Sequence, residues 1–225
     1  MLATRWSIRV RQVVRNGTAE MTAAHLVLLV EEPSMEAFLR ALLPRLLPQD
    51  RTFEVHPFQG KNDLLGKLEA RLRAYASWLP ANWRIMVVVD RDNDDCLELK
   101  RQLEVIARRA RLRTRTRARN ASWQLVNRIA IEELEAWYFG DWAAVRQAFP
   151  RASANMPRRQ GFRDPDAVAG GTWEAFERVM LAHGYFKGGL RKIEAARAVG
   201  ANIDPTRCTS RSFRAFSDAI VEACA

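Results

Sequence analysis

The stretch "HLVLLVEEPSMEAFLRALLPRLL", His25 to Leu47, decides the fold. Its first six residues are a continuous apolar run of the kind found in strands buried on both faces. Pro33 then suits a first helical turn, and Phe38, Leu39, Leu42, Leu43, Leu46 and Leu47 recur at helical spacing before Pro48 stops them. The alternation repeats downstream. "TFEVHPF" (Thr52 to Phe58) reads as a second strand, and after "GKND" the residues Leu64, Leu65, Leu68, Leu72, Tyr75 and Leu79 share one face of a long helix. "RIMVVV" (Arg84 to Val89) is a third strand, with Leu99, Leu103 and Ile106 marking the helix after it. "WQLVNRIAI" (Trp123 to Ile131) is a fourth, followed by "EELEAWYFGDW". Strands separated by crossovers long enough to hold a helix predict an α/β fold, a mainly parallel sheet flanked by helices, over residues 24–150.

Outside that unit the texture differs. Residues 1–23 are basic and poorly patterned, and fit a strand, a mobile arm or a product of where the start was assigned. "RASANMPRRQGFRDPDAVAGG" (Arg151 to Gly171) is rich in turn formers and reads as a long loop or linker. Trp173, Phe176, Val179 and Met180, then Phe213, Phe216 and Ile220, outline a C-terminal helical extension, so residues 151–225 form an appendage of linker and helices.

Of the 225 residues 48% are hydrophobic and 28% charged, as in soluble globular proteins. No apolar run approaches the roughly 20 residues that span a bilayer, and the start lacks the apolar core of a secretory signal. The expectation is a cytoplasmic protein with no membrane partner. The three cysteines are widely spaced and give little support to a disulfide framework or a structural zinc site. A net charge of +10 favours a polyphosphate partner such as DNA or RNA, the alternative being a solvated basic surface.

Two of the clearest strands end in acids. The first runs into Glu31, Glu32 and Glu36, the third into Asp90, Asp92, Asp94 and Asp95. Ligands of open α/β sheets bind at the carboxyl ends of strands, and carboxylates crowded there repel unless a cation neutralises them. Oxygen donors without nearby histidine or cysteine suit Mg²⁺ or Mn²⁺. In an extended pair Asp90 and Asp92 project to the same side, where both can face Glu31. Asp94 and Asp95 stand where a helix begins and read as capping residues. Glu36 faces solvent on the first helix or reaches the site from outside.

A first-strand glutamate in "LLVEEPSMEAFL" with "VVVDRD" at the third strand resembles the Toprim domain, the metal-dependent module of topoisomerases, primases and related nucleases. The resemblance implies a small α/β sheet and places Glu31, Asp90 and Asp92 around Mg²⁺ in phosphodiester chemistry. With "AIEELEAWYFGD", "YFKGGLRKIEAAR" and "SRSFRAF" the chain further resembles bacterial Toprim-like proteins of unknown function linked to mobile-element or phage-defence gene clusters. Toprim domains usually carry glycine after the first glutamate; Glu32 stands here, and is expected to resist the tight turn that glycine permits.

Further residues divide between two interpretations. Glu133 is nominated as an additional metal or supporting carboxylate, or else it belongs to an ordinary acidic helix start. Tyr75 and Tyr138 fit helical core faces and Tyr185 lies in the tail, so hydrolysis by water is preferred to a covalent tyrosine intermediate. In "RRARLRTRTRARN" the arginines, Arg111, Arg113, Arg115 and Arg117 among them, contact phosphates or form a solvated charge run. Lys187 and Lys192 in "FKGGLRK" approach a phosphate or decorate a helix start. The expected function is metal-dependent phosphodiester hydrolysis on DNA or RNA in phage or mobile-element defence. A noncatalytic binder and a phosphohydrolase of a small phosphorylated molecule are the alternatives. A homodimer, and an ATPase or other defence-system protein as partner, stay open.

Overall fold

The computed structural model describes residues 22–118 and 122–225. The expectations for residues 1–21 lie outside the described residues. Four strands, β1 (His25–Val30), β2 (Thr52–Pro57), β3 (Trp83–Asp90) and β4 (Leu125–Ala130), form one sheet in the order β2-β1-β3-β4, with every neighbouring pair parallel. The two central strands, β1 and β3, are the most continuously apolar runs because they are hydrogen-bonded on both edges and covered on both faces. The register sets Val30 beside Val88 and Asp90 beside Ala130, so the acids after β1 and at the end of β3 emerge at the same edge.

Side-chain alternation divides the core between the two faces. Leu26, Leu28, Val30, Met86 and Val88 pack toward α1 (Pro33–Leu46). Val27, Leu29, Ile85, Val87 and Val89 pack toward α2 (Lys61–Ala76) and α3 (Cys96–Arg109), through Leu64, Leu68, Leu72, Leu99 and Leu103. Asp90 has the parity of Met86 and Val88, so β3 carries its side chain to the α1 face.

After α3 come a short turn of helix, α4 (Arg115–Ala118), then β4, and then α5 (Glu135–Gly140), α6 (Trp142–Ala148), α7 (Thr172–Ala182), α8 (Lys192–Gly200) and α9 (Arg211–Cys224). The stretch expected to be a linker is packed: it holds two short 3-10 helices, Met156–Arg158 and Pro165–Ala167, and buries Met156, Asp166 and Val168. The C-terminal extension is helical, as expected, and shares the core of the sheet instead of standing off as an appendage. Phe216 of α9 stacks on Trp137 and Phe213 meets the same ring edge-on, while Trp137 also meets Phe38 of α1. Gly200 at the end of α8 lies so close to α1 that a Cβ there would stand 2.5 Å from the carbonyl oxygen of Phe38.

The serine motif "SRSFRAF" is accounted for by this packing. Ser210 Oγ accepts from the N–H of Phe213 at 3.1 Å and caps α9. Buried Asp166 accepts from Ser210 Oγ and the N–H of Arg211, both at 2.7 Å. Among the described residues no helix is long and apolar enough to cross a membrane.

Candidate active site

The carboxyl ends of β1 and β3 meet through one hydrogen bond: the N–H of Asp90 donates to Glu31 Oε2 at 3.0 Å. Asp90 is 6% exposed, and its Oδ1 has no hydrogen-bond partner. Burial, reinforced by Glu31, Glu135, Glu32 and Asp92, holds the Asp90 carboxyl well above the usual range. Burial also pushes Glu31 up to about 7, against the opposing pull of the Asp90 amide.

Asp92 departs from expectation. β3 ends at Asp90, the chain turns, and Asp92 adopts a left-handed φ of 49° instead of continuing an extended pair. Its carboxylate meets Lys61 Nζ at 2.8 Å; the same ammonium bonds Asp94 at 2.7 Å and the Arg91 carbonyl at 3.0 Å. Burial opposes the charge on Lys61, but the bonds to Asp92 and Asp94 outweigh it and raise its pKa. Asp94 is thus an ion-pair partner and not a cap, while Asp95 caps α3 as expected by accepting from the N–H of Glu98 at 2.8 Å. Lys61 is not among the residues that the sequence singles out; a lysine after glycine in "GKND", at a strand-to-helix turn, is its only signal.

The loop after β4 closes against the loop after β3. The N–H of Arg91 donates to Ala130 O and that of Asp92 to Glu132 O, each at 2.8 Å, and the Arg91 guanidinium pairs with the Glu132 carboxylate. Glu132 has φ 60°, so two non-glycine residues in the left-handed region face each other here. Such strain, about 1 to 3 kcal/mol per residue, persists where the surroundings over-determine the conformation.

Glu133 turns away into structure: its Oε2 accepts from Thr172 Oγ1 at 2.9 Å and the N–H of Trp173 at 2.8 Å, fastening the start of α7. Glu135 instead is 1% exposed with Oε1 unpartnered, and burial pushes it up to about 7. Tyr138 lies in the core as expected, yet its hydroxyl, also unpartnered, is raised by burial and by the fields of Glu135, Asp90 and Glu32. Three residues apart on α5, Glu135 and Tyr138 share one face.

Lys192, at the start of α8, brings a cation from the extension. Its ammonium lies 5.0 Å over the Trp173 ring. Burial opposes its charge, but Glu135, Glu32, Glu133 and Asp90 together raise its pKa. Lys187 lies exposed on the loop between α7 and α8, where the N–H of Leu190 already donates to Glu177 at 2.7 Å.

Glu32 does not resist its turn. Its φ of −142° and ψ of 164° are extended backbone, open to any residue, and Ser34 Oγ donates to its carboxylate. Glu36 pairs with Arg40 at 2.8 Å, away from Asp90. Arg111, Arg113, Arg115 and Arg117 are exposed; Arg115 is bonded to Glu222 of α9 at 2.6 Å and Arg113 to Ser122 at 3.0 Å. A cavity of about 220 Å³ between α1 and α9, lined by Leu46, Pro205 and Ile220 among others, contains none of these acids.

Residues 30–220 match the family described as a domain of unknown function, DUF4276. The chain belongs to DUF4276. No curated protein and no solved structure matches it. The DUF4276 match takes in both strand ends, Glu135 and Lys192, so the α/β unit and the helical extension that meet at these residues fall within one family unit. Among the described residues, no three Asp, Glu, His or Cys side chains of this DUF4276 chain stand close enough together to hold an ion as placed.

Proposed function

We propose that this chain is a cytoplasmic, metal-dependent phosphodiesterase of Toprim type that hydrolyses DNA or RNA in phage or mobile-element defence. The observation that carries the proposal is Asp90: a carboxylate buried at a strand's carboxyl end, with one oxygen unpartnered and four further acids around it. A buried charge is expected to be paired or to coordinate metal. The donor set of Asp90, Glu31 and Asp92 is all oxygen, the chemistry that suits Mg²⁺ or Mn²⁺, and burial and crowding that raise Asp90 and Glu31 favour their protonated forms until a cation lies among them.

Asp90 and Glu31 would hold the ion, with Asp92 joining them once released from Lys61. The ion would supply Lewis-acid polarisation of a phosphate oxygen. Glu31 would act as a metal ligand or, with the ion held by Asp90 and Asp92, as the general base that takes the proton from an attacking water. Water would attack phosphorus and the bond to the leaving oxygen would break. Lys61 and Lys192 flank the acids and would meet the remaining phosphate charge, and exposed Arg111, Arg113 and Arg117 would hold neighbouring phosphates.

A second reading, a noncatalytic nucleic-acid-binding protein, is favoured by Lys61, which already neutralises Asp92 and Asp94. Titrating Mg²⁺ or Mn²⁺ against labelled DNA, RNA and nucleotides, with Asp90→Asn as control, separates the readings. Cleavage lost in the variant supports the proposal. Salt-sensitive binding without cleavage supports the second reading, and turnover of nucleotides alone points to a small phosphorylated substrate.

A further inference from the structure

Buried oxygens without partners are scarce in native proteins, and each costs about 1 to 3 kcal/mol. Asp90 Oδ1, Glu135 Oε1 and the Tyr138 hydroxyl are such oxygens, none of them bonded to another, and the negative field of Glu135 reaches both Asp90 and Tyr138. They come from two elements of different origin, Asp90 from the end of β3 and the other two from one face of α5. Glu135 is 1% exposed and Tyr138 fully buried, so solvent does not satisfy them. Nor does a direct ion pair satisfy Glu135: Lys192, the nearby cation, is held over Trp173.

We propose that Glu135 is a further carboxylate ligand of the cation bound at Asp90, and that Lys192 is the counter-charge resident beside it until the ion arrives. The inference rests on the proposed metal-dependent reading and deepens it. The role that the sequence suggests for Glu133 moves two residues along. Glu133 already has two protein donors at the start of α7, whereas Glu135 has an oxygen to offer. A hard divalent cation takes about six oxygen ligands, and the buried Tyr138 hydroxyl, within the field of both acids, is a polar group that adds no charge. Lys192 and the ion compete for the same negative field, so the two act in opposite directions on metal affinity.

The test is Mn²⁺ binding to the full chain by calorimetry, in wild type and in Asp90→Asn, Glu135→Gln, Glu133→Gln and Lys192→Met variants, with melting curves to establish folding. Expected is a loss of affinity on the order of 10- to 100-fold in Glu135→Gln, a gain in Lys192→Met, and unchanged affinity in Glu133→Gln. Wild-type affinity in a folded Glu135→Gln overturns the inference and leaves the proposed function standing. A wild type that binds no Mn²⁺ overturns the proposed function and the inference with it. If Glu135→Gln does not fold, wild-type crystals soaked in MnCl₂ decide: an anomalous peak within about 2.5 Å of a Glu135 oxygen supports the inference. A peak held by Asp90 and Glu31 with Glu135 out of reach overturns it.

Discussion

The backbone N–H of Asp90 and the side chain of Glu31 are bonded at 3.0 Å, so the amide that ends β3 fixes the acid that follows β1. Glu31→Gln keeps a carbonyl acceptor for that amide, while Glu31→Ala leaves it unpaired at a cost of about 1 to 3 kcal/mol. Thermal denaturation should show the glutamine variant melting no lower than wild type and the alanine variant clearly lower. Neither should cleave nucleic acid.

Asp90→Asn should raise the melting temperature of the metal-free protein at pH 8, because it removes a carboxyl whose ionisation is opposed by burial and by Glu31, Glu135, Glu32 and Asp92. The same variant should lose the stabilisation that Mn²⁺ gives wild type. Paired melting curves in chelator and in Mn²⁺ check both.

The folded-state carboxyls of Glu31 and Glu135 stand near 7, above their ordinary value of 4.5. A raised carboxyl pKa means that the folded chain binds the proton more tightly than the unfolded chain. Metal-free stability should therefore fall as pH rises from about 4.5 to about 7, by up to roughly 3 kcal/mol through Glu135. Since a metal binds the ionised form, Mn²⁺ should stabilise far more at pH 8 than at pH 5. Denaturant titrations across that range, with and without Mn²⁺, measure it.

Glu32→Gly should not improve activity or stability. The residue is in extended backbone, so glycine relieves nothing and adds up to about 1 kcal/mol of unfolded-state freedom. A cleavage assay and a melting curve on this variant suffice.

Replacing Arg111, Arg113 and Arg117 with glutamine should lower affinity for duplex DNA across sequences. The slope of log affinity against log salt should drop by about 0.9 for each phosphate that the variant no longer neutralises. Binding measured from low to physiological salt distinguishes this from a solvated charge run, which leaves the slope unchanged.

The parallel sheet and the pairing of Glu31 with Asp90 are legible because apolar runs bounded by acids announce buried strands and their carboxyl ends. The rest of the site depends on which loops meet, and periodicity carries no such information. Lys61 reaches Asp92 across 31 positions. Glu132 takes a left-handed turn that delays the start of α5 to Glu135, and this shift in helical phase turns Glu133 outward to α7 and Glu135 inward. Lys192 is visible as a cation beside two glycines, but its place over Trp173 follows from the docking of α8 on α1. Asp92 fits an extended pair in the sequence because nothing in "VDRD" marks the residue at which a strand stops.

That docking, closed at Gly200 against Phe38, also orders events in time. A ribosome working along this message delivers all the acids before it has made α8. The early chain therefore carries its negative cluster without Lys192 and shows Phe38 and Trp137 uncovered. Only when α8 folds back does Lys192 join the acids, so this arrangement of charges is among the final things the newborn protein acquires.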